Sequence, residues 1–142
     1  MGLGKRLIAT DAAGGPFVNT DNFSPVIYTG NGGTQSISSL SFAPDFVWVK
    51  GRTIDTSHNV FDSVRGATNY LASDLTSAEV AVSNALTSFD SNGWTMGSNP
   101  GMNFSSKTYV GWCWKAGGSA VSNTNGTITS TVSANVDAGF SV

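Results

Sequence analysis

The chain has 142 residues, a length that suits one domain with a buried core. Only 11% of the residues are charged, against about 25% in an average soluble protein, and the abundance of Ser, Thr, Asn and Gly argues against a helical protein. The formal net charge is −2, and the seven Lys and Arg form no basic stripe, which argues against a nucleic-acid partner.

The cellular setting is indicated by signals that the sequence lacks. Cys113 is the single cysteine, so no internal disulfide can form. No apolar run approaches the length needed to cross a bilayer, which predicts no membrane insertion. The first ten residues do not resemble a secretory signal, because only three apolar residues follow the basic pair Lys5-Arg6. A protein with an uncharged surface but no signal fits synthesis in a bacterial cytoplasm and release by lysis, and virion components meet this description.

Residues 1–22 show no sustained hydrophobic periodicity and are interrupted by Gly14, Gly15 and Pro16. They predict an extended N-terminal arm rather than part of the core. Phe17 and Val18 would be costly to leave in water, so we expect the arm to dock on another subunit. A frayed terminus is the alternative.

The first half of the remaining chain has the composition of β-strands. Residues 26–29 and 34–38 flank the turn sequence Gly-Asn-Gly-Gly at 30–33 and predict a hairpin. Residues 46–50 are apolar on both faces, as expected for a strand in the centre of a sandwich. Residues 58–64 and 70–73 predict two further strands that pair with each other.

The segment from 75 to 115 continues the same pattern. Residues 75–86 fit strand alternation better than a helical face, although a short helix at 77–80 is the alternative. Residues 86–89 and 94–96 flank the turn sequence at 90–93 and predict a second hairpin. After a predicted turn at 99–101, residues 109–115 form a strand with Val110, Trp112 and Trp114 on one face and Tyr109, Gly111, Cys113 and Lys115 on the other.

The large apolar side chains of these strands are assigned to the core. We expect Trp48, Phe61, Trp112 and Trp114 to be buried, since each lies in an alternating run bounded by turns. A platform on which Trp112 and Trp114 stack against sugar is the alternative. Strands separated by Gly and Asn turns predict an all-β, antiparallel β-sandwich over residues 23–116. Residues 117–142 are rich in Ser, Thr and Asn and predict a linker or edge hairpin that leads to a further module.

Five segments carry a family resemblance: 28–37 (YTGNGGTQSI), 42–50 (FAPDFVWVK), 61–67 (FDSVRGA), 86–93 (LTSFDSNG) and 109–117 (YVGWCWKAG). Together they resemble a repeated module of bacteriophage tail-fibre and other virion structural proteins, many of them from marine phages. The resemblance covers roughly residues 24–142 and leaves the arm outside. It implies a concanavalin- or laminin-G-like jelly roll and a place in the virion, and it brings no catalytic motif.

Residues that could carry catalysis or bind a metal are sparse. His58 is the only histidine, and no Gly-x-Ser-x-Gly nucleophile elbow is present. Glu79 is the only glutamate, so the paired carboxylates of a glycosidase are not evident. Cys113 between two tryptophans is expected to be a small buried residue rather than a ligand. The sequence therefore predicts no enzyme, no metal and no cofactor.

Two functions remain. The first is a virion structural protein, part of a tail fibre or appendage or a capsid-surface decoration, which assembles with other virion proteins as a homo-oligomer. A trimer is preferred by analogy with phage fibres, and Gly- and Thr-rich strand edges with few lysines are expected to favour pairing with a neighbour. The second is an adhesion module that binds host-surface glycans. Its candidate glycan or partner contacts are Trp94, Tyr109, Asn31 and Asp90.

Overall fold

The computed structural model describes residues 22–142, which form an antiparallel, nearly all-β fold. The elements in chain order are β1 (Phe23–Thr29), β2 (Gln35–Ile37), β3 (Phe46–Gly51), β4 (Asn59–Asp62), β5 (Asn69–Ala72), β6 (Val80–Ala81), β7 (Leu86–Asp90), β8 (Gly93–Met96), α1 (Pro100–Asn103), β9 (Thr108–Trp114), β10 (Val121–Asn123), β11 (Ser130–Val132), β12 (Ala134–Asn135) and β13 (Phe140–Ser141). The all-β class is confirmed. The jelly-roll connectivity implied by the resemblance stays a prediction, as does the arm with Phe17 and Val18, which lies outside the described residues.

Two sheets pack face to face. The large sheet has the strand order β1-β9-β3-β4-β5-β6, and the small sheet has the order β2-β8-β7. The central position of β3, the pairing of β4 with β5 and the β7–β8 hairpin agree with the sequence predictions. The segment at 77–80 is not helical, and the short helix α1 occupies the predicted turn around Pro100, with the Asn99 side chain accepting a hydrogen bond from Gly101 N.

The hairpin predicted around residues 30–33 is wrong, because β1 belongs to the large sheet and β2 to the small one. The turn residues are used nonetheless, and Gly32 has a φ of 75°. Asn103, which is fully buried, holds this crossover: its Oδ1 accepts from Asn31 N at 2.9 Å and its Nδ2 donates to Gly33 O. A side chain 72 residues away therefore directs the chain from one sheet to the other.

The core lies between the two sheets. The large sheet contributes buried residues such as Tyr28, Val47 and Phe61, and the small sheet contributes Trp94 and Met96. The Trp94 indole crosses the middle of β9, where a Cβ atom added to Gly111 would lie 2.9 Å from Cη2. Glycine at position 111 therefore makes the space that the largest core side chain fills.

The core prediction is correct for Phe61 and wrong for Trp48, Trp112 and Trp114, which lie half-buried on the opposite face of the large sheet. The predicted alternation of β9 is right, but the face that points inward is the one with small residues and Tyr109. The physical reason is that Trp94 of the small sheet already fills the volume above Gly111. Large side chains on that face of β9 would have no room.

The strand edges are blunted, contrary to the expectation that they are poorly protected. Lys115 N donates to Asn22 O, and Gly30 N donates to Lys107 O. These bonds show that the even-numbered residues along β1 are the ones that hydrogen-bond to β9, so the backbone of the odd-numbered residues points to the free edge of the sheet. Pro25 lies at such a position and has no N–H to offer there. The other edge of the large sheet, β6, has only two residues. On the small sheet, β2 has three residues and β7 carries a bulge between Leu86 and Ser88.

Residues 117–142 form two short hairpins, β10–β11 and β12–β13. The second packs back onto the sandwich: Asn135 Nδ2 donates to Asn22 Oδ1 at 2.9 Å and to Lys115 O. The first is more exposed, with Val121 66% accessible. No helix in residues 22–142 is long and apolar enough to cross a membrane.

Candidate binding face

The outward surface of β1, β9 and β3 is lined by apolar and aromatic side chains and is called here the aromatic face. Cross-strand register aligns its residues in rows, with Pro25 opposite Trp112 and Trp112 opposite Trp48. The same alternation that sends Val47, Val49 and Tyr109 into the core sends this second set outward. The members are Phe23, Pro25, Ile27, Phe46, Trp48, Val110, Trp112 and Trp114.

One end of the aromatic face is covered by the chain itself. Phe140 of β13 stacks on Trp114, with ring centroids 5.8 Å apart and planes 19° apart. Its ring also meets Phe46 edge-on at 5.8 Å, while Phe23 packs on Trp114 at 4.8 Å. The β12–β13 hairpin thus shields the Trp114 end of the face from water.

The other end is open, and the surface of Pro25, Ile27, Trp48 and Trp112 is called here the platform. The Trp48 and Trp112 rings meet edge to face, with centroids 5.6 Å apart and planes at 63°. Ile27 is 64% exposed. Aromatic side chains of this kind gather at binding surfaces because they bring large apolar area with little rotamer freedom to lose.

His58 flanks the platform and fixes the orientation of Trp48. Trp48 Nε1 donates to His58 Nδ1 at 3.2 Å, so in the neutral imidazole the proton lies on Nε2. The His58 backbone N donates to Asp74 Oδ1 at 2.9 Å, and this hydrogen bond is the main reason that the pKa of Asp74 lies below its usual value. Since Asp74 bonds the backbone and not the imidazole, the pair is not a catalytic dyad.

The carboxylates near His58 in sequence are engaged elsewhere. Asp62 forms an ion pair with Arg65 and accepts hydrogen bonds from Val64 N and Arg65 N. Arg65 also lies 3.6 Å from Glu79. Within residues 22–142, no group of three His, Cys, Asp or Glu could hold a metal ion. Cys113 is fully buried, and that burial raises the pKa of its thiol, so it is not an activated nucleophile.

The four predicted contact residues do not form a common site. Trp94 and Tyr109 are fully buried, so neither can contact a glycan, and both assignments are corrected. Tyr109 Oη donates to Pro100 O and accepts from Phe104 N. Both residues pack in the core because β8 and β9 turn these side chains inward.

Asn31 and Asp90 lie at the surface, but their polar atoms are engaged within the domain. Asn31 Oδ1 accepts from Gly33 N, and its Nδ2 donates to Thr34 O. Asp90 accepts from Ser88 Oγ through one carboxylate oxygen and from Thr95 Oγ1 through the other. These bonds give each residue a structural role in a turn or hairpin.

An open cleft of about 530 Å³ lies between the end of β9 and the β12–β13 hairpin. Its wall contains Asp45, whose two oxygens accept from Ser63 Oγ and Ala116 N at 2.8 Å each. This carboxylate ties the start of β3 to neighbouring segments. The platform therefore remains the stronger candidate for a binding surface.

Sequence reasoning missed the surface role of Trp48, which belongs to the platform, and of His58, which flanks it. The alternation of Gly111 and Cys113 with Trp112 and Trp114 along β9 could have indicated the outward face to which Trp48 belongs, but it carries no signal for His58. A strand with its smallest residues on one face accommodates a large side chain from the facing sheet, which leaves its tryptophans to point away.

Comparison with known proteins gives a family and no close relative. The chain matches no curated protein and no solved structure. The model of one family, described as a domain of unknown function (DUF7483), matches residues 18–142. Because that match spans most of the chain, including both sheets and the C-terminal hairpins, the protein belongs to the DUF7483 family.

Proposed function

We propose that this chain is a non-enzymatic structural module of a phage virion, within a tail fibre or appendage or as a capsid-surface decoration. It acts by assembly with other virion proteins, as a homo-oligomer, and by attachment to the host. The observation that carries the proposal is the aromatic face, an outward sheet surface built from aromatic side chains. The resemblance of five segments to virion modules supplies the location.

The physical support for an association role comes from the unpartnered end of that face. Contiguous apolar patches on soluble proteins mark surfaces that bind a partner. A chain in which 11% of residues are charged also has few ionic groups to desolvate when its surfaces associate. Both features lower the free energy of a bound state relative to the free module.

The route of assembly follows from the blunted edges. Pro25 removes an outward N–H from β1, and β7 carries a bulge, so strand addition along these edges is disfavoured. Association through a sheet face has no such obstacle. We therefore place self-assembly on faces of the sandwich rather than on shared hydrogen-bonded strands.

The proposal is tested on the particle and in solution. Gold-labelled antibody against the purified chain should decorate phage particles whose genome encodes it, at a fibre tip or on the capsid surface. Sedimentation at micromolar concentration should show an oligomer. Absence of label on disrupted and intact particles, together with a strict monomer, would contradict the proposal.

Recognition of a host glycan is the second candidate, and the open platform favours it. Two of the glycan contacts predicted from sequence, Trp94 and Tyr109, lie in the core and cannot reach a sugar. Trp48 and Trp112 replace them as surface aromatics held in fixed orientation.

A further inference from the structure

We propose that the platform binds a short neutral oligosaccharide, with Trp112 and Trp48 as the stacking surface and His58 as a hydrogen-bond donor. This inference rests on the proposed function and names the ligand class that host attachment would use. The apolar face of a pyranose ring, formed by its C–H groups, packs on the electron-rich face of an indole. Its hydroxyl groups remain available to polar atoms beside the ring.

The platform is preorganised. The hydrogen bond from Trp48 Nε1 to His58 Nδ1 fixes the Trp48 ring, and contact with Trp48 at 5.6 Å limits the Trp112 ring. Pro25, opposite Trp112 on β1, has a ring-constrained backbone. Few rotamers are lost on binding, so more of the stacking energy remains for affinity.

His58 supplies the polar contact that a sugar requires. Its Nδ1 accepts from Trp48, which leaves the N–H on Nε2, and no described residue accepts a hydrogen bond from that group. The side chain is only partly exposed. A hydroxyl group of a stacked sugar is a suitable acceptor, and a purely apolar partner would leave this donor without one.

The charges around the platform favour a neutral ligand. Lys50, on the same face of β3, donates from Nζ to Thr56 O. Asp74 accepts from the His58 backbone. Both charged groups are engaged by the protein itself, so neither is free to select a polyanion or a charged peptide.

The platform by itself is too small to form a stable contact with a second copy of the chain. Three strands and two rows of side chains span about 200 Å² at the usual strand spacing and rise. A stable protein interface needs about 800 Å² from each partner. A surface of this size matches a short oligosaccharide, whose binding depends on few contacts of fixed geometry.

The test uses the purified chain and a printed array of neutral and acidic bacterial oligosaccharides, followed by titration of each bound glycan against intrinsic tryptophan fluorescence. We expect binding to neutral glycans and a fluorescence change on titration. Trp112→Ala should weaken the affinity by about tenfold or more. Ile128→Ala is the matched control, because Ile128 is 80% exposed and lies in the β10–β11 turn, outside the sheet that carries the platform.

His58→Ala and His58→Gln separate the donor from mere packing. His58→Ala should weaken binding, and His58→Gln should restore part of the affinity because its amide can both accept and donate a hydrogen bond. Circular dichroism and thermal melting of each variant establish that it folds. If Trp112→Ala fails to fold, Trp112→Phe takes its place, and this variant should bind the glycan less tightly than the wild type.

Three results would overturn the inference. One is no neutral glycan bound on the array, and another is binding confined to acidic glycans. The third is self-association that Trp112→Ala abolishes while no sugar binds. Each leaves the proposed virion role standing, because that role is judged by gold labelling of particles. Absence of label with intact glycan binding would contradict the virion role alone.

Discussion

The outward faces of the two sheets differ in chemistry although their inward faces share one core. On the small sheet, Ser36 Oγ and Thr95 Oγ1 lie 2.7 Å apart, and Thr95 Oγ1 donates to Asp90 Oδ2 at 2.7 Å. Ser88 Oγ donates to the other Asp90 oxygen at 2.8 Å. This chain of hydroxyl groups contrasts with the aromatic face of the large sheet.

The contrast separates a surface of hydroxyl groups from one with exposed apolar area. The hydroxyl groups bond one another across strands and also suit water, as is usual for the solvated side of an antiparallel sheet. The aromatic face is instead covered at one end by Phe140 and open at the other. We infer that the large sheet carries the interaction surface and that the small sheet serves the fold.

The largest expected effect tests the shared core. Trp94→Ala should lower the free energy of unfolding by about 3–5 kcal/mol, because a fully buried indole leaves a cavity above Gly111. Urea denaturation followed by circular dichroism measures the change. A loss below about 1 kcal/mol would mean that the two sheets do not depend on this side chain.

On the aromatic face, Trp112→Ala should lower the free energy of unfolding by only about 1–2 kcal/mol, since the side chain is half-buried. The same change should reduce retention on a phenyl resin, because it removes exposed aromatic surface. Urea denaturation and chromatography are run beside Trp94→Ala. Equal destabilisation by the two changes would erase the distinction between core and aromatic face.

On the small sheet, Thr95→Val should cost about 1 kcal/mol, because it removes the hydroxyl that joins Ser36 to Asp90. Retention on the phenyl resin should rise slightly, and glycan or partner binding should be unchanged. Thr131→Val is the control, since Thr131 is exposed on β11 and forms no side-chain hydrogen bond. A loss of binding in Thr95→Val would mean that the interaction surface lies on the small sheet, contrary to our inference.

The smallest expected effect concerns pH. The pKa of Asp74 is lower in the folded chain than its ordinary value of 3.8, first because the carboxylate accepts from His58 N. The ionised Asp74 carboxylate therefore stabilises the fold fully at pH values above its ordinary pKa. This stabilisation is lost as the pH falls through the lower pKa of the folded state. Asp74→Asn should flatten the thermal stability curve slightly between about pH 5 and pH 2. Identical curves for the two proteins would rule out this contribution.

Local features of the fold were predictable because they depend on neighbours in sequence. The alternation of residues 109–115 gives the strand β9 and the correct division of its side chains between two faces. The apolar run at 46–50 gives the central strand β3. The turn at 90–93 gives the β7–β8 hairpin. In each case the pattern of side chains within a few residues decides the local backbone.

The choice of buried face and the site itself depend on contacts between distant residues. Tryptophan size argued that Trp112 and Trp114 are core residues, whereas Trp94, from the other sheet, fills the space that Gly111 leaves. The crossover after β1 depends on Asn103, whose role has no local signature. These long-range contacts explain why the candidate contacts chosen from sequence are buried or engaged elsewhere, and why Trp48 and Trp112 are assigned to the core from sequence.

Pro25 has a consequence for copies of this domain held close together. When many copies are displayed at short spacing, their local concentration is high, and an uninterrupted edge strand would template stacking of one copy on the next. The proline leaves a gap in the donor row in the middle of β1, so a neighbouring strand cannot pair along its full length. Copies held at short spacing are therefore less prone to stack edge to edge through β1.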